Sequence, residues 1–148
     1  MTVQSNQESA AGVERLNSRS GELASRLGIV VTEASAKRIV ATMPVEGNRQ
    51  PYGLLHGGAS VVLAETIGSA LAVLATDFVK TAVGVEINAT HHRSAKTGLV
   101  TGTATVLAIT KSMASIAIVV EDEEGKPVCT SRLSCLLRDR HRALLPEQ

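Results

Sequence analysis

The stretch from Gln50 to Thr76, QPYGLLHGGASVVLAETIGSALAVLAT, constrains this chain more than any other. It reads as a loop that runs into a long helix, with Gly57 and Gly58 near the helix start and a body from Val61 to about Ala75. Apolar or small residues, among them Val61, Leu63, Ile67, Leu71 and Leu74, fall on every face of that helix, and a helix apolar all round is expected to be buried. Glu65 is the only Asp, Glu, Lys or Arg between Arg49 and Asp77. A carboxylate in such surroundings costs several kcal/mol unless it is paired, hydrogen-bonded or neutralised, which makes Glu65 a functional candidate.

The rest of the chain supplies strands. Met1 to Gly12 is polar and aperiodic, and residues 1–15 are expected to be frayed or disordered. Val13 to Leu27 suggests a short amphipathic helix or two, with a break near Gly21. Leu27–Glu33 and Arg38–Met43 read as strands joined by a turn. After the helix, Thr81–His92 reads as a strand and Arg93–Gly98 as a turn. Leu99–Ile109 alternates threonines against Val and Ala, a period-two signal. Met113–Glu121 and Val128–Leu137 flank the hairpin turn DEEGK, where Gly125 supplies a positive φ. Residues 139–148 form a charged tail. The late strands are joined by short turns and should pair antiparallel, and the apolar face of their sheet needs the central helix as cover. The expected fold class is α+β, a single domain over residues 16–138 in which a curved antiparallel sheet wraps one long helix.

Composition removes several functions. Tyr52 and Phe78 are the only aromatic residues, so bases have almost nothing to stack on, and a net charge of +1 leaves no footprint for a polyanion. No nucleic-acid partner is expected. The apolar helix falls short of the roughly 20 residues of a membrane span and holds a carboxylate, so no membrane partner is expected either. Cys129 and Cys135 lie six residues apart on one strand, about 20 Å, beyond disulfide reach. Two unpaired cysteines and no signal peptide point to a reducing cytoplasm.

Several side chains could carry chemistry. Ser69 lies four residues after Glu65, on the same helix face, where its hydroxyl could bond the carboxylate or hold a water. That pair fits a general base or nucleophile with a polar helper, against the plainer reading of a satisfied structural Glu. Backbone amides at a helix start have no intrahelical partner, so Gly57 and Gly58 could stabilise a carbonyl oxygen gaining charge, or could merely shape a turn. Gln50 and His56 flank that loop and could orient a carbonyl. On a strand, His91 and Arg93 share a side and His92 points away, which argues against a metal held by the histidine pair. No metal site is expected. Arg93 could bind an anionic group such as a phosphate.

The run Gln50-Pro51-Tyr52-Gly53-Leu54-Leu55-His56-Gly57-Gly58-Ala59-Ser60, followed by Leu63-Ala64-Glu65, resembles the signature of the hotdog-fold acyl-CoA thioesterases. The branch it is most similar to contains phenylacetyl-CoA, 4-hydroxybenzoyl-CoA and 1,4-dihydroxy-2-naphthoyl-CoA thioesterases. Val85–Ala95 and the stretch from Asp122 through Leu133 resemble that branch too. The resemblance implies a homodimer joined sheet edge to sheet edge, usually paired again into a homotetramer, with active sites shared across the dimer interface. It implies that Glu65 is the catalytic carboxylate and that the Gly57 amide polarises the thioester carbonyl. Gln50 and His56 match polar groups near the thioester, and Ser69 a hydroxyl that positions the attacking water. His91, Arg93 and Ser112 match positions near CoA. CoA is then part of the substrate, and no cofactor is implied. His92 departs from relatives, which often carry an apolar residue there. Two alternatives stand beside hydrolysis: a non-catalytic acyl-CoA binding or sensing module, and a hotdog-fold enoyl-CoA hydratase, which the missing Asn-Pro of that class disfavours.

Overall fold

The computed structural model describes residues 3–140. Two helices come first, α1 (Val3–Asn17) and α2 (Gly21–Leu27). Strands β1 (Val30–Ala34) and β2 (Arg38–Pro44) follow, then the long helix α3 (Gly57–Leu74). The chain ends in β3 (Lys80–His91), β4 (Leu99–Ile109), β5 (Met113–Glu121) and β6 (Pro127–Asp139). The strands form one antiparallel sheet in the order β1-β2-β4-β5-β6-β3. Helix α3 packs against β2, β3, β4, β5 and β6, so the sheet curls around it as expected.

The apolar pattern explains that core. Leu63, Ile67 and Leu71 repeat at three- and four-residue spacing and are fully buried against Ile39, Ile116, Ile118 and Leu133. Gly68 brings the helix close to β6, since a methyl there would meet Leu133 Cδ2 at 2.7 Å. Helix α3 is long and apolar enough to be a candidate membrane span, but its 18 residues fall short of the roughly 20 needed, as expected, and much of its apolar surface packs on this sheet.

Three expectations need correction. The stretch expected to be frayed is largely helical. Helix α1 is held to β1 by the Asn17 side chain, which accepts from the Val31 amide and donates to the Val31 carbonyl, both at 2.9 Å. Residues 141–148 of the expected tail lie outside the described residues. The segment 93–98 is not a hairpin turn, because β3 pairs with β6 and β4 pairs with β2. It is a crossover that passes the N-terminal end of α3, pinned where Leu55 donates to the Ala95 carbonyl (2.8 Å) and Val45 to that of Gly98 (2.9 Å). Finally, α3 is not buried all round. Val61, Val62, Thr66 and Ser69 are half-buried and Glu65 is exposed.

Candidate active site

The loop before α3 builds the first half of the site. His56 caps the helix, its Nδ1 accepting from the Gly58 amide at 2.8 Å. With Nδ1 an acceptor, the neutral ring carries its proton on Nε2. The His56 carbonyl accepts from Ala59 and Ser60. The Gly57 amide donates to no group among the described residues. It lies on a cleft of about 390 Å³ whose walls include Gln50, Ser60, His91, Arg93 and Ala95. The ring of His91 lies over Gly57, where a methyl would fall 2.9 Å from Nε2. The loop, the end of β3 and the crossover segment thus bring Gln50, Gly57, His91 and Arg93 to one place. His92 lines the same cleft and is bonded to Thr130 Oγ1 at 2.8 Å, so the strand parity that set it apart from His91 ends with β3.

The second half lies further along α3. Glu65 projects from the exposed side of the helix towards β3, where a methyl on Gly84 would come within 2.8 Å of its Oε1. Of the two roles open to Ser69, bonding Glu65 or holding a water, the first is not seen: its hydroxyl lies 3.9 Å from Cys135 Sγ. Burial raises the Cys135 thiol above its ordinary value, the Ser69 contact lowers it, and the charge on Glu65 raises it again. The three side chains therefore form one small group. Beside it a cavity of about 480 Å³ opens between α3 and the first two helices, lined by Leu16, Val31, Thr66, Ser69, Ala70 and Val73 among others.

The two halves do not meet within one chain. A helix rises about 1.5 Å per residue, so Glu65 stands roughly 12 Å along the axis from Gly57. Ser112 joins neither half. It is exposed in the β4–β5 turn, its carbonyl accepting from the Leu137 amide at 2.7 Å. Nothing in the sequence pointed to Thr130, and Cys135 was marked only as a free cysteine, with no place beside Glu65 and Ser69; Gly84 was also passed over. A glycine inside an apolar strand marks a bulge or a close approach, and that signal was present at Gly84.

Comparison with known proteins agrees with this fold. Residues 52–129 match the Thioesterase superfamily. The chain is 45% identical over 124 residues to the proofreading thioesterase EntH of Cronobacter sakazakii, an alignment covering 82% of this chain and 90% of that one. A crystal structure of a thioesterase from Haemophilus influenzae superposes with a TM-score of 0.84 at 40% identity, covering 88% of this chain and 93% of the other. A glutamine-to-alanine variant of a Pseudomonas aeruginosa thioesterase superposes at 0.81 with 36% identity, covering 86% and 94%. A sheet wrapped on a capped helix, a free amide at that cap and these likenesses lead to one assignment: the chain belongs to the Thioesterase superfamily and is a hotdog-fold thioester hydrolase.

Proposed function

We propose that the chain hydrolyses acyl-CoA or aryl-CoA thioesters to the free acid and CoA, in a site that two protomers build together. The observation that carries this reading is the unpartnered Gly57 amide beside Gln50 and His91, set against a carboxylate that the same chain cannot bring to it. A second copy supplies the missing half. Among the described residues the edge of β3 has no strand on its outer side, and Val83 and Val85 there are about half exposed (48% and 56%). A long apolar edge left open invites pairing with another chain. Edge-to-edge association would lay the Glu65 face of one protomer over the Gly57 cleft of the other, and two such dimers would pair into a tetramer.

The chemistry follows from the two halves. The thioester carbonyl accepts from the Gly57 amide, at the positive end of the helix dipole, with the Gln50 amide group and the His56 Nε2–H as further polar neighbours. Negative charge that gathers on that oxygen is stabilised where the donors already point. Glu65 of the other protomer takes a proton from a water held with Ser69, and the oxygen adds to the carbonyl carbon. The tetrahedral adduct collapses, the carbon–sulfur bond breaks, and the proton leaves with CoA as the thiol. Direct attack by Glu65 would give an acyl anhydride that water then opens, with the same products. The apolar cavity beside Ser69 suits an aryl or medium alkyl group, and Arg93 and His91 suit the pantetheine and nucleotide end of CoA. No cofactor is required. A CoA ester as substrate and two free, buried thiols fit a cytoplasmic enzyme.

A thiol-detecting assay over a panel of aryl- and alkyl-CoA esters tests the reading. The expected result is CoA release that Glu65→Ala reduces by at least about 10²-fold, the scale of a lost general base, with the fold intact by circular dichroism. Near-native rates for that variant on every ester would overturn it, and so would binding of CoA esters with no release by the native enzyme.

A further inference from the structure

We infer that Gly84 is a positioning residue for the reacting carboxylate: the bare Cα of this strand residue is the seat against which Glu65 is set. The inference rests on the reading of Glu65 as the group that reacts. A methyl built on Gly84 would lie 2.8 Å from Glu65 Oε1, closer than real contacts allow, while its other neighbours, Leu133 Cδ1 at 3.5 Å and Glu65 Cδ at 3.7 Å, are at ordinary distances. Its φ is not in the left-handed region, so the backbone itself would accept a side chain. Of the three nearest atoms, only the carboxylate oxygen would have to give way to a methyl here.

The strand is shaped to the same end. Pairing with β6 runs Gly84↔Cys135 and then Glu86↔Ser134, which leaves Val85 as an extra residue, a bulge. Ala82 and Gly84 face the helix before it, and Ile87, Ala89 and His91 after it. Residues 84 and 91 differ by an odd number and would point to opposite faces of a regular strand. The bulge turns both inward, so that one strand carries the seat for Glu65 at one end and the ring over Gly57 at the other. Bulges of this kind re-aim side chains beside active sites.

The end of a flexible Glu side chain can move away from an added methyl, so Gly84→Ala should fold. It should move the carboxylate by a fraction of an ångström to an ångström, enough to cost on the order of 10²-fold in kcat. KM should hold, because the strand position lies outside the Gly57 cleft that receives the thioester. The experiment is a double-mutant cycle on the intact enzyme, with kcat, KM and melting temperature measured for Gly84→Ala, Glu65→Asp and both together. In the Glu65→Asp background the carboxylate stops one methylene short of the strand, and adding Gly84→Ala should cost nothing further in rate or melting temperature. Native kcat for Gly84→Ala overturns the inference. So does an equal loss in both backgrounds, or a folding defect that Glu65→Asp does not relieve. Loss of activity in Glu65→Ala with native rates in Gly84→Ala sinks this inference alone, whereas native rates in Glu65→Ala sink the proposed function.

Discussion

The two ends of the α3 active surface are built by opposite means. At its N-terminal end everything polar is assembled by one chain. The His56 cap, the crossover segment and the end of β3 close around the Gly57 amide, and the resulting cleft has walls on several sides. Two turns later Glu65 stands on an exposed face with a strand glycine on one side and no donor from its own chain among the described residues. The first region is an oriented donor set without a base, and the second a base without a carbonyl site. A single fold thus prepares a donor set and a carboxylate about two helical turns apart, and in the proposed function association would bring them together.

Breaking the donor half should have the largest effect. Gly57→Pro removes the free amide itself, at the first helical position after the His56 cap, where proline's fixed φ and missing N–H are tolerated. Loss of one oxyanion donor costs about 10²–10³ in kcat, and steady-state kinetics on the best CoA ester should show a fall of that order with the oligomer intact. A change within a few-fold would mean that the amide has no part in the reaction.

Separating scaffold from site should have a smaller effect. Asn17→Ala removes both hydrogen bonds that tie α1 to β1, each at 2.9 Å. Net bonds of this kind contribute about 0.5–1.5 kcal/mol, so denaturant melts should show a loss of about 1–3 kcal/mol. kcat should stay within a few-fold of native, since the Gly57 cleft and the Gly84 seat are untouched, and any larger change should fall on KM, because Asn17 also lines the cavity beside Ser69. An activity loss much larger than the stability loss would show that α1 shapes the reacting groups directly.

The smallest effect concerns pH. Burial raises both thiols above the ordinary 9.0, Cys129 beside Ser131 and Cys135 beside Ser69. A group whose folded-state value is raised contributes stability that is present below the unfolded value and lost as pH rises through the folded one. Melts should therefore be flat in this contribution below about pH 9 and decline above it, and Cys135→Ala should flatten part of the decline. Stability that rises from pH 9 to 10 would contradict the burial of the thiols.

Much of this was legible in the chain. The long helix, the six strands, the antiparallel pairing of β4, β5 and β6 and the loop carrying Gln50, His56 and Gly57 follow from periodicity, turn residues and helix-start chemistry. Three features were not, each for a physical reason. The path of residues 93–98 depends on distant backbone partners at Val45 and Leu55, and loop length alone cannot tell a crossover from a hairpin. Helix α1 lies in polar sequence with no strong apolar stripe, and what anchors it to the fold, the Asn17 bonds to Val31 and the packing of Val13 and Leu16 on the core, depends on partners distant in sequence. The exposure of Glu65 was hidden because Val61 and Val62 read alike whether they face a core or a second chain. Gly84 was readable as an oddity in an apolar strand, but only the folded chain gives it Glu65 as a neighbour.

Subunit complementation tests the shared site most directly. Glu65→Ala chains lack the base, and Gln50→Ala/Gly57→Pro chains lack the donor set. Each alone should be nearly inactive, with the same elution volume as the native enzyme. When the two are unfolded, mixed in equal amounts and refolded, half of the dimers are hybrids. Each hybrid holds one composite site with both halves intact, so about a quarter of native activity should return. A mixture no more active than its parents would contradict a site shared between protomers.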